Sequence, residues 1–233
     1  MTTRLLIHGA GGRMGRVLLR LAAESADLGV VAAVTRAPRQ RVVDGVPFYA
    51  AAELAGVPEF DVLVDFSQPE AFDAALALAA GRGCAFVSGT TGLSAAQHGA
   101  MDAAAGRIPL LWAANFSLGV AALEELVERA ASALQGWDCD IVEAHHVHKK
   151  DAPSGTALAL GSAAERGGAR PRYASLRAGD IVGEHTVQFA TAGERIELVH
   201  RAGNRDIFAR GALHAARHLA GRPPGRYRLR DLL

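Results

Sequence analysis

Five short apolar runs, Leu5–His8, Val30–Val34, Val62–Asp65, Ala85–Ser88 and Ile108–Trp112, alternate with segments of helical period over the first half of the chain. Runs of this length read as strands buried on both faces, because a half-buried strand would alternate apolar and polar residues. The intervening segments, Gly12–Ser25, Pro69–Arg82 and Ser94–Ala105, carry helix punctuation. Ser67-x-x-Glu70 and Ser94-x-x-Gln97 have the spacing of a capping box, Pro69 stands in a first helical turn, and Gly81, Gly83 and Gly106 mark the far ends. Strand, helix and strand at this spacing imply right-handed βαβ units, and hence a parallel sheet covered by helices on both faces.

The pattern changes after Asn115. A long helix from about Leu118 to Leu134 leads to a strand-like segment, Trp137 to His146, and then to a Gly/Pro/Ser loop. A helix from about Thr156 follows, with strands near Ile181–Ala190 and Arg195–Arg201 joined by the hairpin signal Thr-Ala-Gly-Glu. A last amphipathic helix, about Ile207 to Leu219, precedes a short Pro/Gly/Arg tail. The expected fold class is therefore α/β. A Rossmann-like parallel-sheet domain (residues 1–116 and 206–233) should enclose a second α+β domain of mostly antiparallel or mixed sheet (residues 117–205). A chain of 233 residues, half of them hydrophobic, can bury two such cores.

Charge narrows the partners. Lys+Arg 25 against Asp+Glu 24 leaves no global attraction to nucleic acid or an anionic membrane, and no basic recognition helix is seen. Apolar stretches such as Ala74 to Ala80 fall far short of the roughly 20 residues that span a bilayer, and the start of the chain lacks the apolar core of a secretory signal. Cys84 and Cys139, each within an apolar run, read as buried thiols of a reducing compartment, so a cytoplasmic protein is expected.

Gly9-Ala10-Gly11-Gly12-Arg13-Met14-Gly15 follows the first strand and opens the first helix. Methionine at position 14 departs from a strict G-x-G-x-x-G, but the logic of a tight turn and a helix N-terminus facing a pyrophosphate is kept. The second strand ends Ala33-Val34-Thr35-Arg36, with Arg39 and Arg41 close behind and no carboxylate to hold ribose hydroxyls. Arginines there suit a ribose 2′-phosphate and favour NADP over NAD; a solvated arginine-rich loop is the plainer alternative. Gly89-Thr90-Thr91-Gly92 and Ala113-Ala114-Asn115-Phe116 follow later strands at the carboxyl edge where ligands bind in open α/β sheets. Phe116 suits either a nicotinamide ring or the core.

The densest group of reactive residues runs from Glu143 through His145, His146, His148, Lys149 and Lys150 to Ser154-Gly155-Thr156. The 25 basic residues include only two lysines, and both are here. Four readings compete. A zinc site would use His145, His146 and His148 but finds no fourth ligand at a usual spacing, and no metal is expected. A solvated polar loop is the plain reading. Acid–base work suits histidine near neutrality and a lysine that can release a proton as arginine cannot. The helix start at Ser154-Gly155-Thr156 can take a carboxylate, which would make a pocket for a small anion beside proton donors.

At these residues the chain resembles the 4-hydroxy-tetrahydrodipicolinate reductase (dihydrodipicolinate reductase) family. The resemblance covers essentially the whole chain. It is carried by the segments 9–15, Asp65-Phe66-Ser67, 89–92, 113–117, Glu143-Ala-His-His146, His148-Lys149, 151–157 and Arg177-Ala-Gly-Asp-Ile-Val-Gly-Glu-His185. It implies that His145 donates or accepts a proton, that Lys149 donates one, and that His146 with the Gly155 and Thr156 amides holds the carboxylates of a small cyclic dicarboxylate. Cofactor contacts are implied from Gly9, Ala10, Gly11, Gly12, Arg13 and Met14, from Gly89, Thr90 and Thr91, and from Ala113, Ala114, Asn115 and Phe116. Hydride would pass from the nicotinamide to the substrate ring in the diaminopimelate route to lysine. Members are usually homotetramers assembled through their C-terminal sheets.

Two positions depart from the pattern: Thr35 stands where an acid is frequent, and Lys150 where an apolar residue is common. With Arg36 at the end of strand two, NADPH is the expected cofactor and NADH the second. Two other readings are another NAD(P)-dependent dehydrogenase of an amino-acid pathway, which leaves the histidine–lysine block unexplained, and a dinucleotide-sensing regulator, which would need a partner-binding module not seen here.

Overall fold

The computed structural model describes residues 2–233 and divides into two compact units. The first contains the chain up to Phe116 together with Phe208–Leu232, and the second is Ser117–Ile207. In the first, β1 (Thr3–His8), α1 (Arg13–Ala23), β2 (Leu28–Thr35), β3 (Val42–Val43), β4 (Val46–Ala50), β5 (Val62–Asp65), α2 (Pro69–Arg82), β6 (Ala85–Ser88), α3 (Ala95–Ala105) and β7 (Pro109–Trp112) follow in order. Their sheet runs β7-β6-β5-β1-β2-β4-β3 and is parallel except for the β3–β4 hairpin. The chain winds outward from β1 in both directions. The carboxyl ends of β1 and β5 therefore flank the switch point where such sheets bind ligands.

The strands are buried as their unbroken apolar character demands: Leu5, Leu6, Ile7, Val62, Leu63, Val64, Phe86 and Val87 have no exposed surface. One local expectation needs correction. Ser67 does not cap α2, whose N-cap is Gln68 without a side-chain bond; Pro69, with its fixed backbone angle, begins the helix. The Ser67 amide is drawn instead to Asp65 Oδ1 and Thr90 Oγ1, at 3.2 and 3.1 Å. Ser94 does form its capping box with Gln97. The β3–β4 hairpin was not anticipated, although its turn residues Asp44 and Gly45, both at positive φ, are the usual signal for a tight hairpin.

The second unit comprises α4 (Leu118–Ala133), β8 (Asp138–His145), α5 (Gly155–Arg166), β9 (Pro171–Arg177), β10 (Glu184–Thr191) and β11 (Glu194–Arg201). The sheet order is β11-β10-β8-β9; β8 and β9 are parallel and the other pairs antiparallel, so the sheet is mixed. Strand β9 has no counterpart in the sequence reading. It is an edge strand whose residues are nearly all exposed, so it lacks the apolar alternation that betrays a strand. The strand expected from Ile181 starts at Glu184. Val127, Ile141, Leu160, Val187 and Phe189 form the dry core between the sheet and α4 and α5, each contributing on the order of 1.5–3 kcal/mol by burial. The opposite sheet face carries the row Ala174, Val142, Thr186, Val199, with Val142 37% and Val199 40% exposed.

Helix α6 (Asp206–Leu219) and strand β12 (Gly225–Tyr227) complete the chain. The supposed tail thus contains a strand, added parallel to β7. Gly211 of α6 lies so close to the Phe116 carbonyl that a side chain there would collide with it.

Candidate active site

At the end of β1 the chain turns through Gly9, whose φ of +80° suits only glycine without strain. The Gly9 and Ala10 amides both donate to the Val34 carbonyl, at 3.0 and 2.9 Å, and the Gly12 amide donates to Gly9 O at 2.9 Å. A Cβ on Gly9 would strike the Phe66 carbonyl, one on Gly15 would strike Gly9 O, and one on Gly11 would lie 2.7 Å from Thr35 Oγ1. The glycines therefore allow a tight turn, close helix–strand packing and an approach of bare backbone. Helix α1 begins at Arg13 with no side-chain cap and no acid in its first turn, an arrangement that suits a bound pyrophosphate. Ala10 is buried, Met14 half-buried and Arg13 exposed.

His8, Asp65, Ser88 and Trp112 form one row across β1, β5, β6 and β7. Asp65 is fully buried, and its two oxygens are engaged by His8 Nδ1 at 2.8 Å, Ser88 Oγ at 2.8 Å and Thr90 Oγ1 at 2.7 Å. Burial opposes its ionisation, but His8 first, then Ser67 and Thr90, hold its carboxyl below the usual range. Trp112 Nε1 donates to Thr90 O at 2.8 Å, and a Cβ on Gly89 would run into the Phe66 ring. Gly89 and Thr90 are thus anchored from below, while Thr91 is exposed. Ala113, Ala114 and Asn115 continue from β7 along the same edge, with the Ala113 amide donating to Ser88 O at 3.1 Å. The Phe116 ring is buried and stacks obliquely on Phe66, centroids 5.4 Å apart, so it belongs to the core.

Beyond β2, Arg41 pairs with Glu53 at 2.5 Å, whereas Arg36 is exposed and has no ion-pair partner among the described residues. A hollow of about 810 Å³ lies elsewhere on this unit, at the amino edge of the sheet. Its Arg4 is taken by Asp61 and its Arg82 by the carbonyls of Ala55, Val57 and Pro58, so it offers little free chemistry.

In the second unit the period of a strand places Glu143 and His145, two residues apart, on the inward face of β8. Pairing extends this into the row Ser175, Glu143, His185, His200, with Arg177 opposite His145. Glu143 is completely buried; its Oε1 accepts from Arg177 Nη2 at 2.8 Å and the Ser154 amide at 3.2 Å, and its Oε2 from Arg177 Nη1 at 2.9 Å and His145 Nδ1 at 2.5 Å. Burial raises its pKa, yet Arg177, Ser175 and His145 together bring it down to about 2. His145 is displaced downward by burial, against the pull of Glu143. Burial, reinforced by His145 and His200, brings His185 down to about 4.

The loop after β8 places Lys149 Nζ 2.8 Å from both Asp151 carboxylate oxygens, while Lys150 is exposed. His146 is half-buried, and its ring centroid is 6.3 Å from that of exposed His148. Gly155 and Thr156 open α5, where Ser154 Oγ caps the Ala157 amide at 3.2 Å and faces His185 Nε2 at 3.2 Å. His145, Lys149, Gly155 and Thr156 are therefore gathered around one strand end and one helix start. Asp65, Glu143, Arg177 and His185 join the site although the sequence pattern alone gives them no role. The i, i+2 spacing of Glu143 and His145 was the available signal for the buried pair.

The chain matches the pattern "Dihydrodipicolinate reductase, N-terminus" over residues 3–116 and "Dihydrodipicolinate reductase, C-terminus" over residues 119–233. It is 73% identical over 232 residues to the 4-hydroxy-tetrahydrodipicolinate reductase of Stenotrophomonas maltophilia (strain K279a), covering 99% of this chain and 97% of the relative. Against the enzyme of that name from Xanthomonas campestris pv. campestris (strain B100) it is 68% identical over 237 residues, covering both chains fully. Among solved structures it superposes on the dipicolinate-bound dihydrodipicolinate reductase of Paenisporosarcina sp. TG-14 with a TM-score of 0.84 at 20% identity over all of both chains. It also superposes on the C. glutamicum DAP dehydrogenase in complex with DAP, TM-score 0.63 at 14% identity over 99% of this chain and 94% of that one. These two structural likenesses are of fold.

Proposed function

The chain belongs to the dihydrodipicolinate reductase family, and we propose that it reduces 4-hydroxy-tetrahydrodipicolinate to tetrahydrodipicolinate in the diaminopimelate route of lysine biosynthesis. It is an oxidoreductase that uses a nicotinamide dinucleotide. A bound reduced nicotinamide would supply the hydride, and with one proton from the protein or solvent the substrate hydroxyl would leave as water. The observation that carries the reading is the Glu143–His145–Lys149 cluster beside the start of α5, an arrangement of proton-handling groups next to carboxylate-binding ones.

In this reading His145 and Lys149 handle the proton, and His146 with the Gly155 and Thr156 amides holds carboxylates. The turn from Gly9 to Met14 carries the pyrophosphate, with Gly89 to Thr91 and Ala113 to Phe116 lining the rest of the cofactor site. The Phe116 contribution is through its backbone, since the ring is buried. NADPH is preferred over NADH, because exposed Arg36 is available to a 2′-phosphate and Thr35 offers no competing carboxylate. The partly exposed row at Val142 and Val199 supports assembly as a homotetramer through the second sheet. Two free cysteines support a cytoplasmic location. Among the described residues no helix is long and apolar enough to cross a membrane.

Pyridine-2,6-dicarboxylate tests the substrate class, since the Paenisporosarcina sp. TG-14 reductase was solved with dipicolinate bound. It should compete with substrate, and a monocarboxylate of the same ring should be much weaker. Inhibition by the monocarboxylate alone would reject the dicarboxylate assignment.

A further inference from the structure

Burying a carboxylate without exposure is costly unless every lone pair is used, and Glu143 uses all of them. Arg177 Nη1, Arg177 Nη2 and the Ser154 amide, with the Ser175 side chain, fix the carboxylate in space, and its remaining partner is the His145 ring. A carboxylate that is ionised can only accept. The 2.5 Å contact therefore requires the hydrogen on His145 Nδ1, which makes Nε2 the atom free to exchange a proton. Nε2 faces Gly183, where an added Cβ would lie 3.0 Å from it. A side chain at Gly183 would close on that nitrogen.

We propose that Glu143 is the positioning residue for His145: it fixes the ring tautomer and steadies the imidazolium form, while Gly183 leaves Nε2 accessible to the substrate. The same arginine that anchors Glu143 also donates to Asp151 O at 2.5 Å and Lys149 O at 3.3 Å. One buried ion pair thus organises both the histidine and the lysine loop. The inference rests on the assignment of His145 to proton transfer.

The groups facing His145 are Glu143 on its own strand, Arg177 from β9, Lys149 from the following loop and His185 from β10. Only Glu143 favours a positive ring; Arg177 and Lys149 oppose it. Glu143→Gln keeps the shape and removes that one favourable charge. Its kcat should fall by about 10²-fold or more near neutrality, as for loss of an orienting carboxylate. The midpoint of the limb that requires protonated histidine should move at least about one pH unit lower, because the ring must now charge among uncompensated cations. NADPH binding, followed by nicotinamide fluorescence, should stay within about threefold of the parent, and Glu143→Asp should recover part of the rate.

A kcat within about threefold of the parent, or a loss with no movement of the pH midpoint, would overturn the proposal. Should Glu143→Gln fail to fold, Gly183→Ala leaves the Glu143–Arg177 ion pair intact and crowds the Nε2–Cδ2 edge of the His145 ring. It should lower kcat by at least about tenfold with NADPH binding retained, and an unchanged kcat would overturn the proposal equally. If the parent itself does not reduce the substrate, the assigned reaction fails, whereas an active parent with unaffected variants rejects the role of Glu143 alone.

Discussion

Lys149 Nζ is held between the two Asp151 oxygens, and its neighbour Lys150 lies open to solvent. The pair diverge because adjacent residues in a turning segment point in different directions. These are the only two lysines in the chain, and Asp151 is held below the usual carboxylate range chiefly by its bond to Lys149. Lys149→Arg preserves charge but withholds an easily released proton. Steady-state kinetics should show kcat lowered by about 10²-fold, with Lys150→Arg within a few-fold of the parent. Near-parent kcat for Lys149→Arg would make Lys149 an electrostatic anchor. The scarcity of lysine made this position legible from sequence. Arg177 was hidden among 23 arginines, and only strand pairing of β9 with β8 brings it to Glu143.

The elements most legible in sequence were those whose fate is decided locally. Helix α2 spans Pro69–Arg82, the expected residues, because a proline at its first position and Gly83 at φ +67° fix both ends. Strand β9 depends on pairing at a sheet edge, where exposure erases the apolar signal, whereas the β3–β4 hairpin carried its signal in Val42-Val43, the Asp44-Gly45 turn and Val46–Ala50. Ser67 was misread as a cap because the spacing to Glu70 ignores Asp65 and Thr90, brought close by β5 and β6. The row from His8 to Trp112 is a property of four parallel strand ends, invisible in any one of them.

Asp65→Asn should test this row. It leaves His8, Ser88 and Thr90 facing an amide in a buried site, at a cost of about 2–4 kcal/mol in denaturant unfolding. Cofactor binding should weaken as well, since Thr90 loses its anchor. Because the folded Asp65 carboxyl titrates below its ordinary value of 3.8, its contribution is present above that value. The gap between parent and variant should therefore close as the pH falls through the folded value. A variant with parent stability and unchanged NADPH affinity would show that the row does not support the loop.

At the scale of the whole molecule, alternation of strand and helix fixed the character of the first unit, and the hairpin signal at Thr191–Glu194 that of part of the second. Phe208–Leu232 group with the first unit, although the family pattern places 119–233 in one C-terminal segment. That grouping follows from close packing of small residues: Ala209, Ala212, Ala215 and Ala216 of α6 are fully buried, and Gly211 meets Phe116. What sequence could not supply was the set of side chains that the sheets bring into line, on which the chemistry depends. The central claim is the reaction itself. Its most direct test follows the loss of reduced-nicotinamide absorbance when the purified chain meets freshly generated 4-hydroxy-tetrahydrodipicolinate, with NADPH and NADH supplied in turn. The expected result is one nicotinamide oxidised per substrate consumed, with NADPH saturating at the lower concentration; no oxidation with either cofactor, by a chain that still binds NADPH, would contradict the account.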